Sequence, residues 1–416
     1  MKTITLTLYS ALLLSTSTAV FAANYLPNPM EAQQALWKAP GVHMAQQEVS
    51  AQQQESAALR KGREEFTLGA EMARRTIETP PQEQFKEWSV NISRPLRLPY
   101  RAKADHQLGE NKVNYAQANL GETVHETSRQ LLSLWFEWLN QVAQVQLMEE
   151  QMQLVQSQNA LVSQKVKLGD AARAEQVTMD ATFAQTAAQL QQAEQGMRLT
   201  QGKLLAQFPD LTVPDYSTIQ FPDPNGVQGT QAEWVKRILA HNHELHRARS
   251  ETQLLNAEKN QFASRQSFDP EIGLRYGKDR AGEENVAAIN LSLTLNGDAR
   301  KHDTEAARIR ANAARDNASL LEEKLIIEAK VNYQLAESSF AAWQQAHLAA
   351  NSLQEAHRLA ARAYELGEGH LNEVLLAKRN ALDGLLASRQ MQIQALLDQT
   401  RLQLDAHQLW SLDKQP

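Results

Sequence analysis

The sequence predicts a mainly α-helical chain, built from two copies of one unit, with a small β part suited to a transmembrane barrel. Three observations point there: few turn formers, an internal repeat of about 199 residues, and strands that alternate apolar with polar residues. The chain has 17 glycines and 13 prolines in 416 residues, about 7% against about 12% in average usage. Few turns mean few, long elements. The absence of cysteine excludes disulfides, thiolate catalysis, cysteine-ligated zinc and iron–sulfur clusters. A formal charge of -6 argues against nucleic acid as the main partner.

Residues 1–22 read as a secretory signal peptide. Lys2 forms a basic start, an apolar block begins at Ala11, and Val20-Phe21-Ala22 offers small residues for cleavage. No later segment approaches the roughly 18 apolar residues of a membrane helix, so entry into a membrane requires a β-barrel.

Two landmarks carry the repeat. Matching Asn91 with Asn290 gives an offset of 199; matching Gly169 with Gly367 gives 198. The expected units are 23–207 and 231–410, joined by a proline- and glycine-rich linker over 208–230 and followed by a tail over 411–416. Each unit is expected to run in the same order. A helix (30–60 or 231–262) leads to a strand (65–77 or 271–278) and a return strand (87–98 or 285–296). A long helix (102–167 or 299–366) then ends at the glycine, and a return helix follows (171–206 or 371–409). A helix of about 65 residues spans on the order of 100 Å, a length suited to crossing an aqueous compartment.

In the fourth strand Ile289, Leu291, Leu293 and Leu295 share one face, expected toward lipid. Asn290, Ser292 and Thr294 share the other, expected toward a wet lumen. Trp88, Val90 and Ile92 repeat the alternation in the second strand, and Ile272, Leu274 and Tyr276 in the third. This is the outer-membrane barrel pattern, although a soluble sandwich with one wet face shows it too. Barrels need at least eight strands, so a barrel here must be shared by several chains.

The long helices carry spacings of three and four. The first seam reads Trp138, Val142, Val145, Met148, Met152, Val155, Asn159, Val162 and Val166. The second reads Val331, Leu335, Ala342, Ala346, Ala349, Leu353, Ala356, Ala360 and Ala363, whose small residues permit close packing around a hollow or a solid bundle. Met148, Met152 and Met179 read as seam residues. Gly169 and Gly367 supply left-handed helix ends, followed by the exposed acids Asp170 and Glu368. His241, His243 and His246 read as ordinary exposed histidines near a helix start rather than metal ligands. With no nucleophile elbow, H-E-x-x-H or phosphate loop, the sequence reads as a non-enzyme without cofactor or metal.

With this order of elements, Asn242-His243-Glu244-Leu245 and Ala363-Tyr364-Glu365-Leu366-Gly367, with Leu375 and Ala377 downstream, the chain resembles the TolC-type outer-membrane efflux proteins, especially their heavy-metal and cation branch (CzcC- and CusC-like). The resemblance implies a homotrimer with a periplasmic α-barrel and a shared twelve-stranded barrel in outer-membrane lipid. It implies docking of the helix turns onto a periplasmic adaptor joined to an inner-membrane efflux transporter. It also implies a periplasmic gate. Glu373 matches the acid six residues after the second turn glycine, Tyr364 matches a closing tyrosine, and Glu175 a latch acid. Leu376 and Gly369 depart from the pattern, the latter replacing a basic residue, with Arg173 near the first turn. The function implied is a passive exit duct for metal cations or drugs. A pore-less periplasmic coiled-coil adaptor, or the outer-membrane part of type I protein secretion, are the competing readings.

Overall fold

The structure, a computed structural model, describes residues 25–295 and 297–410. The expected signal peptide, the tail over 411–416 and Asn296 lie outside the described residues.

Each repeat contributes four helices and two strands. The first contains α1 (Pro29–Lys38), α2 (Pro40–Lys61), β1 (Thr67–Ile77), β2 (Glu83–Pro95), α3 (Pro99–Leu168) and α4 (Arg173–Gln207). The second contains α5 (Gln231–Ala240), α6 (His243–Ser264), β3 (Asp269–Asp279), β4 (Glu284–Thr294), α7 (Ala299–Glu365) and α8 (Leu371–Asp405). With 70 and 67 residues, α3 and α7 each run about 100 Å. Two shorter helices accompany each long one, α2 and α4 along α3, α6 and α8 along α7. Helix α3 also packs on α6 and α8, so the repeats form one bundle.

The sequence places one leading helix in each repeat, but the structure divides both. Pro40 cannot donate to a continuing helix and starts α2, while Ala39 before it is extended. In the second repeat the Asn242 side chain accepts from the Leu245 backbone N–H at 2.7 Å and opens α6. The Asn242-His243-Glu244-Leu245 motif is therefore a helix cap. Strand limits shift by a few residues; β4 ends at Thr294, so Leu295 lies just past the strand.

The main core sits at mid-length of the bundle. Leu131, Leu132, Trp135, Phe136, Trp138 and Leu139 of α3 pack there against α1, the end of α4, the linker and the last turns of α8. The Trp135 indole N–H donates to the Tyr25 carbonyl at 2.7 Å. Along the first seam Trp138, Val142, Val145, Met148, Val155 and Val162 are buried, with Met152, Asn159 and Val166 half-buried.

The second seam is corrected. In α7 the buried positions step by seven: Ala329, Ala336, Trp343 and Ala350, then half-buried His357 and buried Tyr364. Bulky Trp343 and Tyr364 take the contact with the rest of the chain. Val331, Leu335, Ala342, Ala349 and Ala356 lie on a neighbouring face and stay exposed, while Ala346, Leu353 and Ala360 are half-buried. Following small residues alone selects a face that this chain leaves partly open.

The four strands form one antiparallel sheet in the order β1-β2-β3-β4, with the repeats joined by β2–β3 pairing from Trp88↔Lys278 to Pro95↔Glu271. Arg101 and Arg300, 199 residues apart, begin the two long helices and both hydrogen-bond Asp269 at the start of β3. Arg101 also donates to the Ser267 carbonyl at 2.8 Å. This charge-assisted clamp fixes the sheet on the bundle. Asp269→Asn is expected to weaken the fold by about 2 kcal/mol, seen as a lower unfolding temperature. An unchanged temperature would show that the clamp does not hold the junction.

Candidate functional site

Directly paired residues share a face of a sheet, so the register assigns both faces. Leu68, Ile92, Leu274 and Ile289 form one apolar rung, and Ala70, Val90, Tyr276 and Ala287 the next. Among the described residues nothing covers this face: Met72 is 92% exposed, Ile289 75% and Leu291 66%. The opposite face carries Ser89, Asn91, Ser93, Asn290, Ser292 and Thr294, and its Ser89, Gly273 and Gly277 are buried. A soluble sandwich buries its apolar face; this sheet leaves it open. Leu291 and Leu293 share the exposed face, which Leu295 continues beyond the strand at 82% exposure.

Two features of the sheet escaped the sequence reading. Exposed aromatic residues bracket the apolar band: Phe66 and Phe268 just before β1 and β3 at the helical end, Trp88 and Tyr276 in edge-to-face contact at 6.2 Å at the other. From Phe268 to Tyr276 is about 27 Å along the strand, and strands of about 9–11 residues span a bilayer. In addition, all seven acids of the four strands, Glu71, Glu83, Glu87, Asp269, Glu271, Asp279 and Glu284, lie on the polar face. Counting charges by face rather than by chain would have revealed this.

The second site lies at the helix tips. Gly169 and Gly367 are left-handed, with φ of +82° and +81°. Each ends its helix in the same pair of bonds, Asp170 N–H to the Lys165 carbonyl and Glu368 N–H to the Ala363 carbonyl, both 2.9 Å, with the glycine N–H returning three residues back at 3.2 Å. Among the described residues nothing lies within 4 Å of where a Cβ would stand on either glycine. Beside them Leu168 and Leu366 are largely exposed.

Between the tips, the Tyr364 hydroxyl donates to Glu175 Oε2 at 2.6 Å. Lys165 Nζ sits 4.1 Å over the Tyr364 ring and donates to its carbonyl at 3.0 Å. Burial pushes the Tyr364 phenol up, as does the hydrogen bond to Glu175, so it stays a donor at physiological pH. Tyr364 and Glu175 are thus brought together across the two hairpins, and Lys165, which the sequence reading passed over, completes the contact. Its signal was a lysine one helical turn before the first turn glycine. Arg173 begins α4 and is exposed, outside this contact. Glu373 Oε2 accepts from the His370 N–H at 3.4 Å, capping α8 while remaining exposed.

The histidines behave differently from expectation. His241 and His246 are exposed, but His243 is half-buried, and the His241 and His243 rings pack on His407 at 5.5 and 4.8 Å. Buried His125 joins them at 5.6 Å from His407, and burial, then Arg129, His243 and His407, push it down to about 3. Among the described residues no group of three or more potential ligands is placed to hold a metal.

No family model matches the sequence, and no curated protein matches it. Solved structures do. The outer membrane protein VceC of Vibrio cholerae superposes with a TM-score of 0.70 at 15% identity, over 92% of this chain and 99% of that one. The Campylobacter jejuni CmeC outer membrane channel gives 0.70 at 13% identity, over 100% and 95%. CusC gives 0.70 at 14%, over 92% and 93%. The chain therefore has the TolC-type outer membrane channel fold, mainly helical with four strands that do not close a barrel in one copy.

Proposed function

We propose that three copies of this chain form an outer-membrane exit duct, passively carrying solutes from a pump assembly to the outside. The observation that carries this is the inverted sheet at the end of a bundle about 100 Å long. An apolar face that none of the described residues covers, bracketed by aromatic residues, suits lipid, and a polar face suits a water-filled lumen. The duct does no chemistry. The free edges of β1 and β4 leave room for strands of neighbouring copies, and three copies bring twelve strands. The exposed stripe Val331, Leu335, Ala342, Ala349 and Ala356 on α7 suits the contact between copies. A pore-less periplasmic adaptor would have no use for an outward apolar sheet.

With Asp269 held by Arg101 and Arg300, six carboxylates against Arg75, Arg275 and Arg280 leave the polar face negative, which favours cations. Lys165, Tyr364 and Glu175 hold the tips closed, with exposed Glu373 adding negative charge near the constriction and Arg173 at its rim. The turns at Gly169–Asp170 and Gly367–Glu368, with Leu168 and Leu366, form the surface for a periplasmic adaptor and its inner-membrane transporter.

Planar-bilayer recording tests the reading. The purified protein is expected to give discrete conductance steps with a reversal potential favouring cations in a salt gradient. A silent bilayer despite a stable detergent trimer would count against a duct, and anion preference against the charged lumen.

A further inference from the structure

Resting on the outer-membrane reading, the sheet also shows what it meets beyond the apolar band. If the helices stand in the periplasm, the strand ends carrying the β1–β2 and β3–β4 turns point outward. There the lipid-side face changes abruptly from Met72, Trp88 and Tyr276 to Arg74, Lys86 and Lys278. Arg74 stands directly across from Lys86, and Lys278 directly across from Trp88. Like charges facing each other across a strand pair are destabilising, so the fold itself gains nothing from the arrangement. The strand acids at this end, Glu83, Glu87, Asp279 and Glu284, are on the other face, and Glu78 and Glu283 lie in the turns. The ion pairs Arg75–Glu87, Arg75–Asp279 and Arg280–Glu284 use them and leave Arg74, Lys86 and Lys278 without a carboxylate among the described residues. Arg74 and Lys86 are exposed and Lys278 is half-buried.

We propose that Arg74, Lys86 and Lys278 form a headgroup site on the lipid-facing rim for the phosphates of an outer-leaflet glycolipid. The segregation of charge supports a lipid over a soluble anion. The three cations share a face with the membrane band: Lys278 stands on the rung of Trp88 and Arg74 and Lys86 one rung beyond it, the depth of a headgroup. The planar guanidinium of Arg74 suits a phosphate bidentately, and the two lysines add point charges beside it. Three copies would repeat the site around the rim.

The test uses the full-length trimer in detergent without divalent cations, titrated with diphosphoryl lipid A, with its phosphate-free counterpart and with phosphatidylcholine. Native mass spectrometry reads bound lipid, and the heat-dissociation temperature reads its effect. Diphosphoryl lipid A is expected to bind the unaltered protein and raise that temperature; the phosphate-free lipid is expected to do neither. Lys86→Gln should weaken binding about fivefold, and Arg74→Gln/Lys86→Gln/Lys278→Gln on the order of 100-fold. Equal binding by the unaltered and triple-variant proteins, or equal binding of both lipid A forms, would overturn the site. Inorganic phosphate at equal strength would make it an anion site and also overturn it. A protein that forms no trimer before lipid is added would instead fail the membrane reading itself.

Discussion

Tyr364→Phe is expected to open the periplasmic end of the duct. The substitution removes one oxygen and keeps the ring on which Lys165 sits, so packing is retained while Glu175 loses the 2.6 Å donor. A hydrogen bond to a charged partner contributes about 1.5–3 kcal/mol, so the closed state should lose on the order of 10-fold or more in population per chain. In bilayers the variant should spend longer in high-conductance states, and cells carrying it should admit bulky antibiotics. Trimer heat stability should change little, because the contact lies at the tips, far from the core around Trp135 and Trp138. An opening record identical to the unaltered protein would mean that this contact does not restrain the tips.

Leu291→Arg should have the largest effect on assembly. Leu291 lies on the uncovered apolar face, between Ile289 and Leu293. An arginine on the lipid side of a barrel costs up to about 2–4 kcal/mol, most at mid-bilayer and less toward the interfaces, incurred in each of the three copies. The variant is expected to be lost from the membrane fraction. Its neighbour Ser292 points the other way, and Ser292→Arg should insert normally while reducing cation preference. Equal loss of both variants would mean that the two faces do not meet different solvents.

The long elements were legible in the sequence because each is fixed by local rules. Gly169 and Gly367 end helices that nothing else interrupts, and the alternation at 287–295 follows from the period of a strand. What was not legible depends on packing. The α7 seam misread arises because α7 has two apolar stripes, and only tertiary contact shows that Trp343 and Tyr364 face inward. The breaks at Pro40 and Asn242 were signalled, but their weight against a long helical pattern was not. In the site, Tyr364 and Glu175 stood out by position relative to the glycines. Lys165 and the partition of charge between sheet faces emerge only once the register of β1 to β4 is known.

The central claim is that three chains close one barrel by joining β1 of one copy to β4 of the next. The natural sequence has no cysteine, so paired cysteines give a clean reading. Ala70→Cys would be combined in turn with Ala287→Cys, Ile289→Cys and Leu291→Cys, placing thiols on the two free edges at successive rungs. Oxidation in intact outer membranes should convert at least one pair into a covalently closed trimer that denaturing gels do not separate. Monomer bands throughout the series, or higher polymers without a trimer limit, would contradict the account.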